Sequence, residues 1–248
     1  RHGSCIFPKY LFGKPADATN GALSVLPWRI RQVIAQTMLG FAVGKPQDYG
    51  LLEPSFGLFQ NHPTISDTIL HRITHGEVRP VRGIERFDGN TVHMTDGSEV
   101  EADIIVWATG YRVTIPFLDQ SWLTDNAENM PLYKRVFHTE DPSLTFVGLM
   151  QSTGAAMPVV EAQSKLAAAY FAGEYALPSK NRIDRAIAKA YNAAVDRWGS
   201  KRPMMRIDFD AFIADSAQEL TRGAARIRLG MPRFTSTPRP VPTHASAA

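Results

Sequence analysis

Five segments of the chain carry apolar residues three or four positions apart, the spacing that places them on one face of an α-helix. Pro27 suits the first turn of the first segment and Gly44 its end. That segment is apolar around much of its circumference, which predicts a mostly buried helix, whereas the fourth has one apolar and one charged face. The predicted helices cover residues 27–43, 66–74, 158–173, 183–198 and 208–222.

The middle of the chain changes to the alternation that is typical of strands. Val92 and Val100 flank an Asp96-Gly97 pair, and this combination predicts a β-hairpin. Residues 102–108 follow directly, and this run is nearly free of polar residues and rich in β-branched ones. Such a composition predicts a strand that is covered on both faces.

A second apolar run, 144–149, leads through the small residues 151–154 into the predicted helix that begins at about residue 158. The order of strand, small-residue turn and helix is typical of α/β proteins. The sequence therefore predicts an α/β fold.

The composition is that of an ordinary folded protein. Of 248 residues, 44% are hydrophobic and 21% are charged, which excludes disordered and collagen-like classes. The net charge of +3 comes from scattered residues, so no nucleic-acid partner is expected. Cys5 is the single cysteine, so an internal disulfide is excluded, and we expect a cytoplasmic protein without a signal peptide or transmembrane segment.

The residues that end the strand 102–108 are the strongest candidate for a binding site. Ala108, Thr109, Gly110 and Tyr111 stand where ligands of α/β sheets bind, and the small residues at 108–110 let backbone amides approach a cofactor. The spacing leaves a second interpretation open, a tight strand exit without a functional role.

Other candidate chemistry is not supported by the spacing. His71 and His75 would share a helix face, but residue 72 is arginine and no third ligand is evident, so no metal site is predicted. The sequence has neither a serine-hydrolase elbow nor a phosphate-binding Walker loop. No side chain is predicted to act as a catalytic acid or base, and Cys5 is interpreted as a buried, inert thiol.

The segment 103–111, Asp-Ile-Ile-Val-Trp-Ala-Thr-Gly-Tyr, resembles the ATGY segment of the flavin-containing monooxygenases. N-hydroxylating and Baeyer-Villiger monooxygenases share this segment in variant form. Further segments resemble the same family in the same order along the chain, and the resemblance covers about residues 1–225. These segments are 8–15, 116–118, 131–137, 146–151 and 158–163.

The resemblance implies a fold with two Rossmann-like dinucleotide-binding domains, one for FAD and one for NADPH, and a helical carboxyl-terminal region. Residues 1–115 would be the remainder of the NADPH-binding domain. Residues 116–225 would be the carboxyl-terminal part of the FAD-binding domain with a helical extension, and 226–248 a disordered, proline-rich tail. The sequence contains neither Gly-x-Gly-x-x-Gly loop of such domains, so we interpret it as the carboxyl-terminal portion of a larger enzyme.

The resemblance also implies positions for the two cofactors. Arg1 falls where an arginine can hold the 2′-phosphate of NADPH, although an exposed arginine without a role fits equally. Gln151, Ser152 and Thr153 fall in the family segment beside the flavin ring. The alternative for these three residues is that they cap the helix that follows.

The function that the resemblance implies is an FAD- and NADPH-dependent monooxygenase, of the N,N-dimethylaniline monooxygenase kind. It would use O2 to form a hydroperoxyflavin and oxygenate a soft nitrogen or sulfur centre of a small molecule. Two alternatives stay open, a Baeyer-Villiger monooxygenase acting on ketones and a non-catalytic remnant or interaction module. Association into homo-oligomers is also left open.

Overall fold

The computed structural model describes residues 3–16, 21, 23, 25–61, 63–118 and 127–232. The chain divides into two compact units, Arg1–Thr114 and Ile115–Ala248. Helices and strands both occur among the described residues, so the predicted α/β class is confirmed. The assignment of residues 1–115 to NADPH and of 116–225 to FAD stays a prediction.

The described part of the first unit includes short strand pairs, the helix Trp28–Val43 and the helix Ile69–Thr74. β1 runs parallel to β4, and β2 runs antiparallel to β3. A 3₁₀ turn, Pro46–Tyr49, follows the longer helix. The elements are β1 (Ile6–Phe7), β2 (Tyr10–Leu11), β3 (Lys14–Pro15), α1 (Trp28–Val43), β4 (Thr64–Ile65) and α2 (Ile69–Thr74).

Helix α1 has the bounds that the sequence predicts, but it is not mostly buried. Gly44 ends the helix with a φ of 81°, a conformation that glycine adopts without strain. Only Arg31 and Ala35 are buried, because the first unit packs against a single face of the helix. The Arg31 guanidinium lies over the Phe59 ring, 4.8 Å from its centroid.

A three-stranded antiparallel sheet ends the first unit. Its strands are β5 (Ile84–Asp88), β6 (Thr91–Met94) and β7 (Glu99–Glu101), with β6 in the centre. The predicted hairpin is confirmed, since Val92 pairs with Val100 and Gly97 takes a φ of 82° in the turn. Strand β5, which forms the other edge of the sheet, was not predicted from the sequence.

The predicted buried strand at 102–108 is wrong. From Asp103 onward the backbone makes no strand pairing within the described part of the chain, and the Ile104 and Val106 side chains are 84% and 82% exposed. A strand requires a neighbour that exchanges backbone hydrogen bonds with it, and none lies beside this run among the described residues.

The predicted strand at 144–149 is wrong as well. Its backbone amides are bonded to a neighbouring loop rather than to a strand, and Phe146 N donates to Val136 O over 2.8 Å. The only β-bridge described in this run joins Thr145 to Phe137.

Where the structure describes the second unit, its main elements are three α-helices and one short parallel strand pair. Helix α5 continues to Arg228, six residues beyond its predicted end and three residues into the predicted tail 226–248. Residues 233–248 lie outside the described residues. The elements are β8 (Gln151–Ser152), α3 (Ala156–Phe171), α4 (Lys180–Trp198), β9 (Arg206–Ile207) and α5 (Phe209–Arg228).

A buried carboxylate explains why α5 extends so far. Glu219 accepts a hydrogen bond from the fully buried Tyr175 hydroxyl at 2.9 Å and forms an ion pair with Arg226. Arg226 Nε also donates to Ala176 O over 2.7 Å. Burial, and secondly the Glu219 charge, raise the pKa of Tyr175, so its hydroxyl stays a donor. The last turns of α5 are thereby attached to the segment after α3.

Among the described residues, no helix combines the length and the apolar character that crossing a bilayer requires. The predicted cytoplasmic location stays a prediction.

Replacing Gly223 by alanine should destabilise the second unit by about 2 kcal/mol, a typical cost of overpacking a core. The reason is that a Cβ atom at Gly223 would lie 1.9 Å from Tyr175 Cδ2. The control is Gly40→Ala in α1, where no atom lies within 4 Å of the new Cβ and helix propensity favours alanine by about 1 kcal/mol. Urea unfolding should show opposite signs for the two variants, and equal effects would contradict this packing.

Candidate functional site

The predicted residues Ala108, Thr109, Gly110 and Tyr111 lie in the first unit on an exposed segment without regular secondary structure. Tyr111 is 93% exposed, and Gly110 has a φ of 92° with no atom within 4 Å of its missing Cβ. The backbone at Gly110 is therefore bare enough for close approach of a ligand. The segment is attached at its start by Trp107, whose ring packs edge-on against Phe87 at 5.7 Å.

Gln151, Ser152 and Thr153 lie in the second unit, where β8 pairs with β9. Gln151 N donates to Met205 O over 2.7 Å, and Thr153 N donates to Ile207 O over 3.2 Å. The Ser152 hydroxyl also stabilises the local backbone, since its Oγ accepts a hydrogen bond from Gly154 N at 3.1 Å. The backbone of this segment is thus held in place from the side of β9.

The alternative interpretation of these residues, that they cap the next helix, is wrong. Helix α3 begins after Ala155 without any side-chain cap. Thr153 instead accepts a hydrogen bond from Phe209 N, the first residue of α5, over 3.1 Å. Ala155, Ala156 and Met157 are exposed at the start of α3.

An uncapped helix start carries backbone N–H groups without helical partners and a partial positive charge. Acceptor atoms such as the N1 and C2 oxygen region of a flavin suit that position. The start of α3 is exposed and follows β8 directly, so the residues present fit a flavin whose polar edge contacts this helix start.

The ion pair between Asp208, which follows β9 in the chain, and Arg197 was not predicted from the sequence. Asp208 accepts from Arg197 at 2.7 Å, and both side chains are largely buried. Asp208 also caps α5 by accepting from Ala211 N at 3.1 Å. An aspartate just before an amphipathic run is a helix-start signal that could have been found, whereas the pairing with Arg197 depends on the tertiary fold.

A second buried polar group joins the loop before β8 to α3. Gln163 is fully buried, and its amide accepts from Gly148 N at 2.8 Å and donates to Arg135 O over 2.9 Å. The Arg135 guanidinium is also buried and donates to the carbonyl oxygens of Pro203 and Arg206, each over 3.4 Å. Desolvation lowers the pKa of Arg135 to about 10.

The remaining candidates belong to the first unit and not to the segment 151–153. They are His71, His75, Cys5 and Arg1. The His71 and His75 rings are 4.1 Å apart, and the described residues contain no group of three or more potential metal-ligating side chains. The Cys5 thiol is half-buried, 3.9 Å from Phe56 O, and its burial raises its pKa. Arg1 lies outside the described residues.

Residues 21–229 match the model of a protein family described as flavin-binding monooxygenase-like. The chain belongs to this family, and the resemblance drawn from its motifs is confirmed.

Individual relatives are similar over only part of their length. Flavin-containing monooxygenase 5 of Homo sapiens is 31% identical over 217 residues, which are 84% of this chain and 40% of that protein. Dimethylaniline monooxygenase [N-oxide-forming] 2 of Rattus norvegicus is 29% identical over 178 residues, 70% of this chain and 33% of that protein.

Among solved structures, S-allyl-L-cysteine S-oxygenase from Allium sativum matches with a TM-score of 0.44 and 29% identity, over 59% of this chain and 32% of that one. The chain thus spans well under half the length of the proteins that it matches.

Replacing Thr153 by valine should cost about 1–2 kcal/mol of unfolding free energy, because it removes the acceptor of the Phe209 N–H group. The control is Thr221→Val, which removes an exposed hydroxyl bonded within its own helix and should change stability by less than about 0.5 kcal/mol. Hydrogen exchange should show faster exchange of the Phe209 amide in the first variant only. Unchanged exchange at Phe209 would contradict the contact.

The thiol of Cys5 should ionise at higher pH in the folded chain than in the unfolded chain, since burial raises its pKa. The folded state resists ionisation, so its stability falls as the pH rises above the unfolded thiol pKa of about 8.5. Alkylation of the native chain should therefore reach half its limiting rate at a higher pH than alkylation in urea. Coincident profiles would contradict the burial of the thiol.

Proposed function

We propose that the chain forms part of an FAD- and NADPH-dependent monooxygenase that uses O2 to oxygenate a soft nitrogen or sulfur centre of a small molecule. The family match over residues 21–229 is the observation that carries this proposal. The name of the Rattus norvegicus relative, which is N-oxide-forming, favours nitrogen over the ketones of Baeyer-Villiger enzymes.

The second unit contributes a binding surface for the flavin. The uncapped start of α3 presents its N–H groups and partial positive charge to the acceptor edge of the cofactor. Gln151 to Thr153 orient that surface, because the N–H groups of Gln151 and Thr153 donate to the carbonyl oxygens of Met205 and Ile207. When bound, the flavin supplies the redox chemistry, and the protein supplies binding and orientation.

The first unit contributes the segment Ala108 to Tyr111, whose backbone at Gly110 is open to a cofactor. Arg1 is proposed to contact the 2′-phosphate of NADPH, in line with the position that the resemblance implies. No catalytic acid or base is assigned, since the proposed chemistry belongs to the cofactor.

Activity is proposed to require more polypeptide than residues 1–248. The chain lacks glycine-rich dinucleotide loops, and its relatives are longer than the segments matched here. The exposed run from Ile104 to Tyr111 also favours the second candidate, a non-catalytic module that associates with another chain. Expression of residues 1–248 alone should therefore yield a colourless protein, and a yellow one that consumes NADPH would contradict this requirement.

The proposed flavin contact is tested by Ala155→Asp in a chimaera that joins this chain to the amino-terminal part of the Rattus norvegicus relative. Aspartate is preferred over alanine at a helix N-cap by about 1 kcal/mol, so the fold should be retained or stabilised. Its negative charge should nevertheless repel the acceptor edge of the flavin. We expect lower flavin absorbance after dialysis and slower NADPH oxidation with N,N-dimethylaniline.

The matched control is Ala168→Asp, which places the same charge on the exposed surface in the last turn of α3, far from the start of the helix. This variant should keep the flavin content of the unmodified chimaera. Equal flavin content in both variants would contradict the contact at α3, and a folded chimaera without flavin would contradict the proposed function.

A further inference from the structure

A preformed cavity of about 450 Å³ lies within the first unit, between β1, α1 and the loop that follows the 3₁₀ turn. Its volume falls in the range of about 300–1,000 Å³ that small-molecule sites occupy in proteins. No predicted cofactor-binding residue is among the described residues that line it.

One face of α1 forms a wall of this cavity. Gln36, Leu39, Gly40, Val43 and Gly44 recur at the spacing of a single helix face, and all five line the cavity. Two of these five positions, Gly40 and Gly44, have no side chain.

Gly40 is not explained by the backbone or by packing. Glycine inside a helix costs about 1 kcal/mol relative to alanine, and Gly40 does not have the positive φ that would require it. No atom lies within 4 Å of a Cβ built there, so a larger residue would meet no obstacle. Gly44, by contrast, is accounted for by its φ of 81°.

The opposite wall is a loop that is held in one conformation. Gln32 Nε2 donates to Leu58 O over 2.7 Å, and Gly57 N donates to Gln60 Oε1 over 2.8 Å. Phe59 in this loop has a φ of 66°, a strained conformation that surrounding contacts must maintain. A fixed wall reduces the entropy that a ligand would lose by ordering it.

The lining defines the chemistry of a ligand. Ile6, Leu39, Val43, Phe56 and Leu70 form an apolar surface, while carboxamides such as Gln36 and Gln47 can bond one polar group of a ligand. Lys45 and Glu53 are exposed lining residues of opposite charge, so the site favours neither an anion nor a cation.

We propose that this cavity is a binding site for an uncharged, mainly apolar small molecule. Gly40 leaves the space that the molecule occupies, and Cys5 lines the same space.

The single cysteine of the chain makes this site directly measurable. Cys5 is the one thiol that iodoacetamide can alkylate. The rate of alkylation at Cys5 therefore reports access to the cavity. The neutral, apolar probe N-phenylnaphthylamine should slow alkylation of the 248-residue chain in a saturable way. The slowing should be about tenfold at a probe concentration of ten times its Kd, as mass action requires.

Two substitutions of Gly40 distinguish loss of probe binding from loss of the fold. Gly40→Trp should fill the space and abolish the protection by the probe, while Gly40→Ala should keep it. Val33→Trp places the same indole at an exposed position of α1 that does not line the cavity, and it should also keep the protection.

Each contrary result would overturn the proposal. Alkylation that the probe does not slow, or protection that persists in Gly40→Trp, would show that the probe binds elsewhere. A thiol that iodoacetamide cannot reach in the folded chain would show that the cavity is closed to ligands. None of these outcomes depends on flavin binding, so a failed monooxygenase proposal would leave this test intact.

Discussion

Two backbone hydrogen bonds at the two ends of the β8–β9 pair are the constraint on which the second unit depends. Gln151 N and Thr153 N donate to the carbonyl oxygens of Met205 and Ile207, residues more than fifty positions away. This short ladder fixes where α3 and α5 begin, since each helix starts within four residues of its strand. The buried Asp208–Arg197 pair and the Thr153 contact to Phe209 are then possible because the strands already lie together.

The helices and the hairpin could be predicted from the sequence, but their burial and their pairing partners could not. Helices α1, α4 and α5 follow from apolar spacing, and the β6–β7 hairpin follows from Asp96-Gly97, because these signals act within a few residues. The burial of α1 was wrong, since amphipathic spacing does not say how many faces a fold covers. The run 102–108 has strand composition, but a strand needs a partner that composition does not supply.

For the candidate site residues, too, local motifs were predictable and contacts between distant residues were not. The family and the segments 108–111 and 151–153 were recognised from motifs, and the family is confirmed. The sequence did not indicate that Thr153 contacts α5 or that α3 starts without a cap, because both depend on residues distant in the chain. The buried Glu219 carboxylate was also beyond sequence reasoning, since its partners Tyr175 and Arg226 stand 44 and 7 positions away.

The unpaired run from Ile104 to Trp107 has a colloidal consequence. It is rich in β-branched residues, uncharged and free of proline, a composition that favours cross-β aggregation. Its backbone N–H and C=O groups are a template for the same run of a second molecule. Aggregation of the purified chain should therefore rise with its concentration, and the aggregates should contain intermolecular sheet while the helices of each molecule are retained.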